Sequence, residues 1–393
     1  MKILLLDNSH LPLIGGKEIV VHHLAKQFTK FGHDVRVAGP AGARSHRKCE
    51  LGYRVDRYPS FPVISNDTQW ALRTKLILRN RSYDIVHAHT THPCGYHAQR
   101  VLLGRSSAPP LVVTPHGADI HKVPEIGFGK RLDPALEKKI EWLLKNCAGA
   151  TAISEAVRDS LIDAGMDEQQ IVDIPNGVDI DRMTKVIDFN AREALGLKPD
   201  CHLVVTVGNY HKRKGHEVLA KAISQCKSLN VHLVIVGRKS KVLESFLEDS
   251  NLAAHVTFTG MLKFPTSVQV KEPDLLVALL QQATCYVSSS MAEGTEGLSL
   301  ALLEAMAAGA PIIATNVSGN QDIIDHEKNG LLVKPNSSEE IASSIDTLIA
   351  KPEIGNELSK SASELIREYS WEQTAKRYLS FYESVMRRES SKR

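Results

Sequence analysis

Two carboxylates eight residues apart, Glu296 and Glu304, bracket the run Gly297-Leu298-Ser299-Leu300-Ala301-Leu302-Leu303. The apolar stretch continues to Ala308 and ends at Gly309-Ala310-Pro311. Glycine with proline close behind it stops a helix, so a helix is expected from about Ser299 to Ala308. Glu296 then lies in the loop before it and Glu304 in its second turn. The free amides of the first turn, near Leu298 to Leu300, attract phosphate, and a nearby carboxylate suits sugar hydroxyls. Taken alone, the two acids read equally as a helix-dipole acid and an exposed helix residue.

Three more segments carry chemistry-bearing residues. Gly208-Asn209-Tyr210-His211-Lys212-Arg213-Lys214-Gly215 follows a strand-like run and leads into a helix from about His216. Cations at a helix N-terminus are disfavoured by about 0.3–1 kcal/mol each. Three in a row point to an anion that offsets them, a diphosphate clamp, with a solvated loop as the alternative. Lysine suits the clamp as a point charge, and neutralising a leaving phosphate lowers a barrier. Thr114-Pro115-His116-Gly117-Ala118-Asp119 sits just past a buried strand, so His116 is either a site residue or a structural histidine. Gly15-Gly16 lies between the first strand and a helix, without the GxGxxG spacing of a dinucleotide fingerprint. It reads as a tight turn or as a place where backbone approaches a ligand.

Asp179-Ile180-Asp181 has the look of a metal-binding acid pair, but it follows an Asn-Gly turn and reads as turn chemistry. No His or Cys spacing fits zinc, and neither a P-loop nor a GxSxG elbow occurs. Neither a metal nor a cofactor is expected.

The elements that position these residues alternate between short apolar runs and helical periodicity. Strands are expected at Lys2–Leu6, Val35–Ala38, Ile85–Ala88, Leu111–Thr114 and Gly149–Ile153. The pattern restarts after Pro175-Asn176-Gly177, with strands at Leu203–Val207, His232–Val236, Val256–Phe258, Cys285–Ser288 and Pro311–Ala314. Such α/β alternation implies parallel sheets buried on both faces. The 393 residues suffice for two domains, each with its own core. A linker is expected near residues 178–200, and a last amphipathic helix over Trp371–Met386 with a frayed charged tail. The six cysteines are scattered without a CxxC pair, as in reduced thiols of a cytosolic protein. The apolar start is too short for a signal peptide and reads as a strand.

The net charge of +3 hides an asymmetry. Residues 1–110 carry 16 Lys and Arg against 7 Asp and Glu, an excess of nine cations. That excess is either a solvated face or a contact with an anionic membrane surface or acidic acceptor. Nucleic acid is disfavoured, because no recognition pattern accompanies the charge.

Together these pieces resemble the retaining glycosyltransferases of family 4, with the two-domain GT-B fold. The resemblance rests on Gly15-Gly16, Gly32-His33-Asp34-Val35, Asp84-Ile85-Val86-His87-Ala88-His89 and His116-Gly117. It continues through Ala152-Ile153-Ser154-Glu155, Pro175-Asn176-Gly177-Val178-Asp179, Lys214-Gly215, the Glu296 to Pro311 stretch and Asn329-Gly330-Leu331-Leu332-Val333. It implies an α/β chain of two doubly wound Rossmann-like domains facing across a cleft. Residues 1–180 would form the acceptor side, rejoined by the helix at 371–386, and residues 190–370 would hold the nucleotide sugar.

By resemblance, Glu304 binds the ribose and Glu296 meets the donor sugar. Lys214 and the amides of Gly297 and Leu298 hold the diphosphate. Gly15 and Gly16 lie at the donor, with Gly16 approaching the phosphate, and His116 reaches the sugar. The family often has arginine where this chain has Asn209, and Arg213 is the candidate to compensate. The stretch Lys263 to Pro273 looks longer than usual and reads as a surface loop. The implied activity is transfer of a hexose-type sugar from a nucleoside diphosphate sugar to a hydroxyl acceptor, with retention and without a metal. A lipid-linked or surface-polysaccharide acceptor at the cytoplasmic face of the membrane fits the basic N-terminal half. A nucleotide-sugar epimerase and a non-catalytic sugar-nucleotide binding protein are the alternatives.

Overall fold

The computed structural model describes residues 1–11, 15–40, 51–58, 65–79, 82–105, 107–262, 274–292 and 297–392. Glu296, Cys49 and the stretch from Lys263 to Pro273 lie outside them. The chain divides into two units, Met1–Gly177 with Trp371–Arg393, and the described residues from Val178 to Ser370.

The first unit is built on seven strands: β1 (Lys2–Leu6), β2 (Asp34–Pro40), β3 (Arg54–Tyr58), β4 (Ile85–Ala88), β5 (Leu111–Val113), β6 (Gly149–Ala152) and β7 (Ile171–Asp173). Their order is β3-β2-β1-β4-β5-β6-β7, every neighbour parallel. Ile3, Leu4, Leu5 and Leu6 are all fully buried. That is why β1 is an unbroken apolar run and not an alternating one: helices cover both faces. The helix Gly16–Lys30 buries Val20, Val21, Leu24 and Phe28 against this unit, and Gly32, at φ +84°, takes the left-handed stop.

The last helix, Trp371–Ser391, belongs to this unit. Trp371 stacks on His23 with centroids 4.8 Å apart and planes 3° off parallel. Tyr382 Oη meets His87 Nδ1 at 2.6 Å, and Tyr378 Oη meets Thr114 at 3.2 Å and Thr151 at 3.3 Å. The expected stop at Met386 and frayed tail are corrected: the helix runs on to Ser391, and Arg388 on its last turns donates to the Ala148 carbonyl.

The second unit has six parallel strands: β8 (His202–Val207), β9 (Val231–Val236), β10 (Val256–Gly260), β11 (Cys285–Ser288), β12 (Ile312–Thr315) and β13 (Leu331–Val333). Their order is β10-β9-β8-β11-β12-β13. The expected linker is also corrected. Residues 178–200 carry two short helices, Ile180–Met183 and Ala191–Ala194, and Met183 and Ala191 are fully buried in this unit's core. Four-residue helices show too little periodicity to be read from sequence. Asp179 caps the first by accepting from the Arg182 amide at 3.1 Å.

Three strands went unread, β3, β7 and β13. All lie at sheet edges, where side chains face solvent and the apolar signal thins. In each sheet the strand order reverses between two central neighbours, β1/β4 and β8/β11. Loops after those strands part to opposite faces and leave a crevice at their carboxyl ends, where doubly wound folds bind ligands.

Candidate active site

The crevice of the second unit is lined by the loops after β8 and β11. Lys212–Lys214 forms a single 3₁₀ turn before the helix His216–Gln225, which has no side-chain cap. Lys212 is exposed while Arg213 and Lys214 are half-buried. The turn is bolted to the neighbouring loop: Met291 N donates to the Arg213 carbonyl at 2.8 Å, and Ser289 Oγ to that of Lys214 at 2.8 Å. Gly215 permits this approach. It sits at φ +65°, and a Cβ there would overlap the Ser289 carbonyl. The Lys214 stem runs past Gly208, where a Cβ would lie 3.7 Å from Lys214 Cε. Three cations thus stand at the positive end of a helix, which an incoming anion would stabilise.

Asn209 is less free than its place in the motif suggests. Its Oδ1 accepts from the Arg238 amide at 2.9 Å, tying the loops after β8 and β9. Leu298 is 5% exposed and its side chain lies in the core. Gly297 precedes it, half-buried. The helix Leu300–Ala307 starts at Ser299, whose side chain makes no capping bond.

Glu304 lies in the second turn of that helix with its side chain 16% exposed. Arg182 Nη1 stands 3.5 Å from Glu304 Oε1. The same guanidinium grips Asp274 as a fork, Nε to Oδ2 at 2.7 Å and Nη2 to Oδ1 at 3.2 Å. Burial pushes the Glu304 carboxyl up to about 7; Arg182 opposes the rise, and Asp274 and Asp179 add to it. An acid poised this way can donate or accept a hydrogen bond near neutral pH. The motif reading missed Arg182 and Asp274. Asp274 carries one sequence signal, the capping position before Leu275–Gln281; Arg182, inside Ile180–Met183, carries none.

In the first unit, Gly15 and Gly16 open the helix after β1. Gly15 has extended backbone, and its lack of a side chain makes room for Glu18, whose carboxylate folds back on it. Beside them Lys17 Nζ is held by Asp7, by Asn8 Oδ1 at 2.6 Å and by Ser9 Oγ at 2.9 Å. His116 follows β5. Its amide donates to Asp119 Oδ1 at 2.8 Å, and Thr91 N donates to Asp119 Oδ2 at 2.8 Å. Asp119 thereby joins the loops after β4 and β5. The His116 ring lies alongside His89, Nε2 to Nδ1 3.3 Å. Burial pushes its imidazole down to about 4, with Asp119 pulling the other way, so it is neutral at physiological pH. His87, in the same motif, is structural: both ring nitrogens are taken, by Tyr382 and by Thr114 at 2.7 Å.

Residues 188–365 match the family model of glycosyl transferases group 1, and residues 14–182 that of glycosyltransferase family 4. The chain is 25% identical over 402 residues to D-inositol 3-phosphate glycosyltransferase of Corynebacterium urealyticum, covering 94% of this chain and 91% of that one. It is 27% identical over 387 residues to phosphatidyl-myo-inositol mannosyltransferase of Mycobacterium leprae, covering 94% and 93%. Among solved structures, Anabaena HepE in complex with UDP and glucose superposes with a TM-score of 0.80 at 22% identity, over 98% of this chain and 100% of that one. WaaG, a glycosyltransferase involved in lipopolysaccharide biosynthesis, gives 0.73 at 17% identity, over 96% and 98%. Two parallel doubly wound sheets with these likenesses identify the GT-B fold.

Proposed function

The chain belongs to the glycosyltransferases, of group 1 and family 4, and on that premise we propose that it transfers a hexose-type sugar, with retention, from a nucleoside diphosphate sugar to a hydroxyl acceptor. The observation that carries this reading is the second unit's crevice, with a turn of three cations ahead of one helix and the poised Glu304 inside another. The pair matches a ligand that is dianionic in its middle and hydroxyl-rich at its ends. The UDP bound in HepE favours uridine as the first base to test.

Lys214, Arg213 and the amides of Gly297 and Leu298 take the diphosphate, and Glu304 takes the ribose hydroxyls. Glu296 meets the sugar, and His116 is the candidate contribution of the first unit. In the transfer, the bond from the anomeric carbon to the diphosphate oxygen breaks. The acceptor oxygen bonds to that carbon on the same face, and its proton passes to the departing diphosphate. The cations stabilise the charge that develops on the leaving group, so donor binding needs no metal. Attack by Glu296 as a nucleophile is the rival route.

Calorimetry against a panel of nucleoside diphosphate sugars, in the presence of a chelator, tests the donor. Turnover with hydroxyl acceptors, including inositol phosphates and lipid-linked inositols, tests the transfer. Glu304→Ala is expected to weaken donor binding tenfold or more. Glu296→Ala is expected to abolish turnover while donor still binds; wild-type turnover in that variant sinks the assignment.

A further inference from the structure

A separate cluster in the first unit joins three elements far apart in sequence. Asp67 lies on the helix Asn66–Arg79, His92 in the turn after β4, and His97 on the helix Tyr96–Leu102. One oxygen of Asp67, Oδ1, faces both imidazoles, 2.7 Å from His92 Nε2 and 2.8 Å from His97 Nε2. All three potential ligand atoms lie within 4.8 Å of one another. The imidazoles are largely buried, His92 at 12% and His97 at 5% side-chain exposure, while Asp67 is 43% exposed. The Tyr96 ring packs on both, with centroids 5.8 Å and 5.2 Å away. Lys139, from the helix Pro134–Asn146, lies over that same ring and reaches the other oxygen, Asp67 Oδ2, at 3.1 Å.

We propose that Asp67, His92 and His97 form a binding site for a zinc-class divalent cation, with a fourth position open to solvent. Around a tetrahedral ion with bonds of about 2 Å, ligand atoms stand about 3.3 Å apart. The carboxylate oxygen, 2.7 and 2.8 Å from the two nitrogens, needs to draw back from each by about half an ångström to admit it. Two imidazoles and one carboxylate select zinc or cobalt over magnesium or calcium, which take oxygen ligands. Both Nε2 atoms point at Asp67 Oδ1, and an incoming cation would take the place of the protons they share with it, since bound imidazole ligates in its neutral form. Lys139 leaves Oδ1 untouched. On Oδ2 it supplies the outer hydrogen bond that orients a ligating carboxylate. The two histidines stand 25 and 30 positions from Asp67 and five from each other, which is why no linear spacing announced the cluster. The ion would clip the Asn66–Arg79 helix to the turn after β4, independently of the donor site in the other unit.

The rival is a hydrogen-bonded cluster that holds no ion. The test uses the full chain, stripped with chelator and titrated with Co2+ alone. The expected result is one equivalent bound, with the intense visible absorption of tetrahedral cobalt, bleached by one equivalent of Zn2+. Asp67→Asn, His92→Gln and His97→Gln are each expected to weaken binding at least tenfold. Absence of a stoichiometric cobalt spectrum in the wild type overturns the proposal, and needs no variant to fold. Undiminished binding in all three ligand variants overturns it as well. Calorimetric donor affinity measured alongside reports on the glycosyltransferase reading separately.

Discussion

At Glu304, burial raises the carboxyl to about 7 against the pull of Arg182, which makes the residue sensitive to pH in two ways. A raised acid stabilises the fold most when protonated. Its contribution is present below the unfolded value of about 4.3 and fades as pH climbs through 7. Donor binding carries the opposite sign, because ribose hydroxyls donate to the ionised form. Affinity for a nucleotide sugar is expected to rise as pH passes through about 7, and Glu304→Gln to flatten that profile; a flat wild-type profile by calorimetry would contradict this. Arg182 holds the acid in place. Lysine keeps the charge but loses the fork on Asp274, so Arg182→Lys should cost donor affinity tenfold at little cost in stability. Arg182→Ala strands the carboxylates of Asp274 and Glu304, and an unfolding loss of about 3–5 kcal/mol is expected by denaturant titration.

Between residue and molecule, the loops after β8 and β11 act as one piece because Gly215 lets them touch. Gly215→Ala meets both a left-handed backbone and the Ser289 carbonyl, so the lysine turn must shift. Donor affinity is expected to fall further than thermal stability, and the reverse pattern would count against a clamp role. The last helix makes the complementary case. Tyr382→Phe removes the partner of His87 Nδ1 inside a dry core and is expected to cost about 1–3 kcal/mol. The sheet interiors were legible in sequence because burial on both faces leaves an unbroken apolar run. The edge strands β3, β7 and β13 were not, because half their environment is solvent.

Across the whole molecule, the surplus of cations in residues 1–110 is only partly a surface feature. Arg73 is 6% exposed beneath Trp70 and bonded to Gln69 at 2.8 Å, and Arg57 donates to the Leu11 carbonyl at 2.7 Å. Lys75 and Arg79 do face solvent, with Leu72 at 53% and Leu76 at 59% exposure one turn apart. No helix among the described residues is long and apolar enough to cross a membrane. A helix face of two leucines and two cations suits the surface of an anionic bilayer instead. Sedimentation with anionic vesicles at low salt is expected to capture the protein, and Lys75→Glu with Arg79→Glu to release it. No capture at low salt removes the idea.

Local sequence was enough to mark the strand interiors, the helix stop at Gly309, the basic turn at Lys212–Lys214 and the acid at Glu304. Each is a short-range pattern with its cause in burial, backbone freedom or a helix end. Tertiary structure alone decided which of those groups have company. It set Arg182 and Asp274 around Glu304, bound Asn209 to Arg238, spent His87 on the last helix, and converged Asp67, His92 and His97 on one point. Such meetings depend on strand order and loop register, which place residues by contact in space and leave no period in the chain.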